Sequence, residues 1–185
     1  MRKIAVFFAS TSGTNFRNAN LTDADFTQAT LKCTKFMGTN LTRTRFYETK
    51  KLLLARVGKS ILDPLPIRSL LVTGNGHNKS YLNANLRGAN LMGADLSKAN
   101  LKGANISDAT FQSANLEGAN LTLTEAINTD FTRALMTGAC LEAWNIQSNT
   151  KLEDVDCRYI YLLEYPKLGT DDRELCRFLN LILIN

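Results

Sequence analysis

Every fifth residue from Leu86 to Ile146 is apolar, and the residue two before it is nearly always small. From Ala84 the chain reads ANLRG ANLMG ADLSK ANLKG ANISD ATFQS ANLEG ANL. An α-helix repeats every 3.6 residues and a strand every two, so neither gives a period of five. A fixed short period sustained over this length predicts a solenoid, in which each turn of chain stacks on the last. The thirteen apolar centres are Leu86, Leu91, Leu96, Leu101, Ile106, Phe111, Leu116, Leu121, Ala126, Phe131, Met136, Leu141 and Ile146. Only Ala126 lacks a large side chain. The slot two before each centre holds Ala in ten of the thirteen, with Thr124, Thr129 and Trp144 the exceptions. One large and one small position in five therefore point into a narrow shaft, and the other three face water. Leu101 is an inward position and Lys102 an outward one. Centres in successive coils stack at about 4.8 Å, the strand spacing, and each large one buried is worth about 1.5–3 kcal/mol.

A second block carries a worn form of the pattern. Its centres are Phe16, Leu21, Phe26, Leu31, Phe36, Leu41 and Phe46, with Thr14, Ala19, Ala24, Ala29, Thr34, Thr39 and Thr44 in the small slot. Threonine is tolerable in a shaft only if its hydroxyl finds a backbone partner. At the other end the phase slips by one residue between Ile146 and Leu152. A shifted set follows at Leu152, Cys157 and Leu162, with Thr150, Val155 and Ile160 two before each. Trp144 is too large for its slot, which predicts a distorted coil there.

Nine of the thirteen residues just before a centre are Asn or Asp, including Asn85, Asn90, Asp95, Asn100 and Asn105. This run resembles the pentapeptide-repeat family, whose consensus is A(D/N)LXX, in its cyanobacterial type. The resemblance implies an all-β solenoid: a right-handed, quadrilateral parallel β-helix with four pentapeptides per coil. The segment KLEDVDCRYIYLLE is similar to stretches near the end of large multidomain cyanobacterial members, which leaves a truncated or frame-shifted end of a longer protein as an alternative reading of the tail.

Four regions are expected. Residues 1–46 form an N-terminal repeat block with a capping strand, and 47–80 a partly helical insertion without the repeat. Residues 81–162 form the main block, and 163–185 a helical capping tail. In the insertion, Leu53, Val57 and Ile61 are four apart, which predicts a helix over 48–61 that Pro64 and Pro66 stop. Ile67 to Val72 reads as a second short helix or a strand, and Thr73 to Ser80 as a loop. The insertion's apolar side must lie on the solenoid wall or a coil end, or serve a partner. In the tail, Leu175, Phe178, Leu179 and Ile182 predict a helix over the exposed last coil, whose edge otherwise invites pairing or a dimer contact.

Composition narrows the function classes. Cysteines at 33, 140, 157 and 176 make no CxxC pair, so neither a metal site nor a disulfide framework is expected, and a reducing cytoplasm is the simplest home. The apolar run Ile4 to Ala9 is short for a signal peptide, and no stretch is long enough to span a membrane. His77 is the only histidine. The stretch GNGHNKS has Asn78 where a phosphate-binding loop needs Gly before Lys79, so no catalytic, cofactor or metal site is expected. Solenoid faces lack deep pockets, and the expectation is a non-enzymatic scaffold for an unidentified protein partner.

Charge is uneven. Residues 1–80 hold thirteen Lys and Arg against four Asp and Glu, whereas 81–185 hold nine against thirteen. Family members that protect DNA gyrase mimic DNA with long carboxylate rows, and this chain lacks such rows. The basic half instead suggests nucleic-acid binding as the alternative. Lys50, Lys51, Arg56, Lys59 and Arg68 cluster in the insertion and are, with Trp144, the candidate interaction residues.

Overall fold

In the computed structural model of the chain, residues 13–177 are described. The expected capping strand at the N-terminus lies outside them.

Parallel rungs join residues twenty apart. In the main block Asn85 pairs with Asn105, Asn90 with Thr110, Asp95 with Asn115 and Asn100 with Asn120. Four such columns per coil make four pentapeptides per coil and a four-sided section. Each side ends in a turn closed by the small residue, whose N–H donates to the preceding centre's carbonyl, as Ala89 does to Leu86 at 2.9 Å. The third residue of the turn takes a positive φ, from Gly88 at 68° to Leu123 at 56°. The Asn or Asp before the centre turns back on the same corner. Its side-chain oxygen accepts the N–H two residues on, as Asn85 does from Arg87 and Asp95 from Ser97. That bond satisfies a donor the turn would otherwise leave free, which is why these residues recur there.

The shaft is lined by one contiguous apolar cluster. Leu86, Leu96, Leu101, Ile106, Leu116 and Leu121 are fully buried, and so are Ala99, Ala104, Ala114 and Ala119 beside them. Threonines in the small slot bond back to the previous coil, as the sequence requires. Thr39 Oγ1 donates to Phe16 O, Thr44 to Leu21 O, Thr124 to Leu101 O and Thr129 to Ile106 O, at 2.7–3.1 Å.

The non-repeat stretch is shorter than 47–80. Rungs continue to Lys50 (with Thr30) and Arg56 (with Lys35), and resume at Asn75 (with Asp95). The helix expected over 48–61 is absent apart from a single 3-10 turn, Leu52–Leu54. A waiting ladder edge satisfies these backbone groups at once, whereas a short isolated helix must be nucleated. Leu53 and Val57 therefore point opposite ways, exposed and buried. Ile67 to Val72 is helical, within α1 (Leu65–Thr73). Pro64 and Pro66 start this helix rather than end another, because the first turn needs no N–H donors.

Helix α1 plugs the shaft between the blocks. Ile67, Leu70 and Leu71 are buried. Gly76 occupies a centre position, where a Cβ would meet Leu96 Cδ2 at 2.6 Å and Leu70 Cδ1 at 3.1 Å. The helix thus supplies the leucine that the repeat omits. Of Thr73 to Ser80, expected as a loop, Thr73 ends α1 and Asn75 to Ser80 already belong to the first coil of the main block. The blocks join directly where Arg43 N–H donates to Gly88 O and Asn90 Nδ2 to Arg43 O.

The phase slip is present, and from there rungs join residues 21 apart, starting with Asp130 and Lys151. Trp144 itself keeps its turn bond to Leu141 O, and the irregularity follows it. Ile146, expected in the shaft, is 39% exposed. Asn149 Oδ1 accepts the Asn128 N–H in place of a rung carbonyl. The indole meets the Phe131 ring at 5.4 Å, and its Nε1 is enclosed without a partner.

Where the tail helix was expected to begin, the described residues form a short strand. β1 (Tyr159–Tyr161) pairs antiparallel with β2 (Leu175–Arg177), which contains Leu175. Phe178, Leu179 and Ile182 lie outside the described residues. The open coil edge offers unpaired backbone groups, and a strand satisfies them where a helix would not. Leu162 is exposed because the chain has left the shaft for this hairpin, and Ile160 is buried instead. The loop laps back over the main block. Glu164 accepts from Lys102 Nζ and Asn120 Nδ2, so Lys102 faces outward but is not free.

Candidate interaction surfaces

Two faces of the first block carry its positive charge. Lys35 and Arg56 share a rung. On the neighbouring face the Leu31 N–H donates to Lys50 O and the Cys33 N–H to Leu54 O, which sets Lys32 beside the 3-10 turn. Lys32, Lys50, Lys51 and Arg56 are exposed, and among the described residues none of them forms an ion pair. By contrast Arg43 is bound to Asp23 at 2.6 Å, which raises its pKa. Lys59 is exposed in a separate notch with Thr42, Ser60, Asn85 and Arg87. Arg68, a candidate from sequence, is buried. Its guanidinium donates to the Leu62 and Asp63 carbonyls and holds the insertion's own loop. A cation four residues into a helix that roofs a shaft cannot stay in water, and those carbonyls replace the lost hydration. Trp144 is half-buried near the other end of the molecule and joins none of these residues.

Between the 3-10 turn and α1 lies a cleft of about 250 Å³. Leu53 and Leu65 at its mouth are 71% and 63% exposed, and Leu52 on its floor is buried. The sequence marked the lysines here but not the cleft. Its signal was the apolar run Leu52 to Leu54, which exceeds the single centre that a coil can bury.

The solenoid also assembles a group that looks catalytic. His77 Nδ1 lies 2.6 Å from Ser97 Oγ, which in turn donates to Asp95 Oδ1 at 2.6 Å. The twenty-residue step between 77 and 97 is what brings them together. The order is wrong for nucleophilic catalysis, in which the imidazole must stand between the carboxylate and the hydroxyl. Here the hydroxyl proton goes to Asp95, and this bond lowers the Asp95 pKa. No cluster of three or more His, Cys, Asp or Glu side chains suited to a metal occurs among the described residues. Within them, no helix is long and apolar enough to cross a membrane.

No curated protein sequence matches the chain. Among solved structures, a pentapeptide repeat protein from the Arabidopsis thaliana thylakoid lumen is 23% identical, with a TM-score of 0.33. That match covers 54% of this chain and 70% of the other. Rfr23 from the cyanobacterium Cyanothece 51142 is 18% identical over 77% of this chain and 86% of its own, with a TM-score of 0.32. Full-length QnrB1, a plasmid-mediated fluoroquinolone resistance protein, is 19% identical over 77% and 67%, with a TM-score of 0.31. The family model for pentapeptide repeats matches residues 12–46, 82–108 and 104–142 in eight copies. With more than half its length matched, and with a rung every twenty residues, the chain belongs to the pentapeptide-repeat family.

Proposed function

We propose that the protein is a non-enzymatic scaffold that presents flat solenoid faces to a protein partner in the cytoplasm. The coil is wound right-handed, as its family resemblance implies. One observation carries the reading. The insertion is the longest interruption of the repeat among the described residues, and there leucines that the shaft has no room for stand exposed beside unpaired lysines. Exposed apolar groups with a polar rim mark interaction sites. Along the main block the faces are chiefly ladders of turn-capping Asn and Asp, with exposed apolar residues such as Leu82 and Leu123 set singly among them. The test is capture from a native lysate treated with nuclease. Retention of a stoichiometric protein supports the scaffold, and retention of nucleic acid alone in the untreated lysate contradicts it.

A second reading rests on the Lys35–Arg56 rung with Lys32, Lys50 and Lys51 beside it. Such rows neutralise phosphates. In a mobility-shift titration this reading requires binding that weakens steeply with salt yet survives near physiological ionic strength. The DNA-mimic role is disfavoured, because the same faces carry the opposite charge.

A further inference from the structure

Resting on the scaffold reading, we propose that the cleft between the 3-10 turn and α1 docks an acidic amphipathic peptide segment of a partner protein. The cleft's lining includes Leu52, Leu53, Leu65 and Val72, with Lys51 on one side and Arg68 on the α1 side, and no carboxylate lines it. Its apolar floor lies below the surface, and about 250 Å³ accommodates one or two large side chains. The rim is basic. Lys51 opens onto the cleft, Lys50 precedes it in the chain, and Lys32 lies on the adjoining rung. The nearby Glu48 accepts from Gln28 Nε2 at 2.8 Å and forms no ion pair with these lysines, so three cations stand against one carboxylate at the rim. A ligand that fits must therefore place an apolar side chain in a concavity and carboxylates around it. Nucleic acid has no aliphatic side chain to insert, and a flat bilayer does not reach the floor. An amphipathic peptide with acidic flanks meets both demands.

The probe is fluorescence polarisation with three pools of labelled dodecapeptides. The first is built from Leu, Phe, Asp and Glu, the second has Lys in place of the acids, and the third has Ser and Gly in place of the apolar residues. The first pool is expected to bind about tenfold more tightly than either other pool. Leu65→Asp is expected to weaken first-pool binding about tenfold. The double variant Lys50→Glu, Lys51→Glu is expected to shift preference to the lysine pool. Leu123→Asp, an exposed leucine on the main block, serves as the unaffected control, and circular dichroism checks each fold. Equal binding of the three pools, or first-pool binding indifferent to both cleft variants, overturns the proposal. So does binding of duplex DNA or phosphatidylserine vesicles with no peptide pool bound. If lysate capture retains a protein equally on wild-type and Leu65→Asp chains, the scaffold stands and the cleft falls. If no protein is retained in that capture, the scaffold itself falls.

Discussion

The two repeat blocks solve the same packing problem with different side chains. In the first, phenylalanine and leucine alternate at the centres, so the twenty-residue coil puts phenylalanines on two opposite sides. Phe16 stacks on Phe36 at 5.6 Å and Phe26 on Phe46 at 5.7 Å, while Phe16 and Phe26 meet edge-on across the shaft at 5.5 Å. Four of the seven corners that follow its centres are closed by threonine, at Thr34, Thr39, Thr44 and Thr49. The main block has leucine at seven of its thirteen centres and alanine at ten of its thirteen small slots, with one aromatic stack, Phe111 on Phe131 at 5.3 Å. The lesson is that the repeat constrains shape and hydrogen bonding rather than residue identity. A larger centre or a hydroxyl is accepted wherever the rung geometry gives it a neighbour to stack on or a carbonyl to meet.

The comparison can be broken most severely from inside the main block. Leu101→Asp strands a charge in a fully buried position and is expected to lower stability by about 4 kcal/mol or more. Lys98→Asp on the same coil should change it by less than about 0.5 kcal/mol. Equal denaturation midpoints would contradict the inward and outward assignment. Lys102 is the less suitable outward control, because its contact with Glu164 ties it to the tail.

Next in size is Phe36→Ala. It removes a ring that touches Phe16, Phe26 and Phe46 and is expected to cost about 3–5 kcal/mol. Coils interact mainly with their neighbours, so the first block should exchange its amides faster while residues 95–140 stay protected. A uniform loss of protection would show that the α1 plug couples the blocks fully.

Thr44→Val and Thr129→Val test the hydroxyl bonds block against block. Each removes one bond to a carbonyl of the previous coil, for an expected loss of about 1 kcal/mol in either block by urea denaturation. A stabilising effect in one block only would mean that the two shafts handle threonine differently. Smaller again, and of opposite sign, is Leu123→Asn. Leu123 holds φ at 56° and is exposed, and a residue that tolerates this backbone should add about 0.5–1 kcal/mol.

The smallest effect is local and depends on pH. Lys102, hydrogen-bonded to Glu164, holds that carboxyl below the usual carboxylate range, aided by Asn120 and opposed by burial. A lowered folded-state pKa gives stabilisation that is present above the unfolded value and lost as the pH falls through the folded one. The tail's contact with the main block should therefore loosen below about pH 4, seen as faster amide exchange in residues 159–177. Unchanged exchange down to pH 3 would mean that β1–β2 pairing alone holds the cap.

Much of this was legible in the sequence, and what escaped has a common cause. The shaft positions of Leu86 to Leu141, the threonine bonds and the slip before Leu152 follow from a period that repeats many times. Ile146 and Leu162 fit the period but leave the shaft, because each adjoins a place where the chain departs from the coil. Helical spacing over 48–61 was misleading because Leu53, Val57 and Ile61 compete with a ladder edge that local spacing cannot reveal. The cleft escaped for the same reason: it exists only because α1 fills the centre position vacated by Gly76 and brings Leu65 beside Leu53. The basic candidates Lys50, Lys51 and Arg56 are surface groups as expected. Arg68 is not, because its helix roofs the shaft.

The central claim is that residues 84–146 form a stack of coils with a rung every twenty residues. It is tested most directly by amide–Hα nuclear Overhauser effects in the labelled full chain. Sequential coils predict cross-peaks between residues on neighbouring rungs, Leu86 with Asn105 and Leu101 with Asn120 among them, whose backbones are bonded at 2.8 Å. Cross-peaks three and four residues apart throughout 84–146, with none between those rung partners, would contradict the fold and every surface built on it.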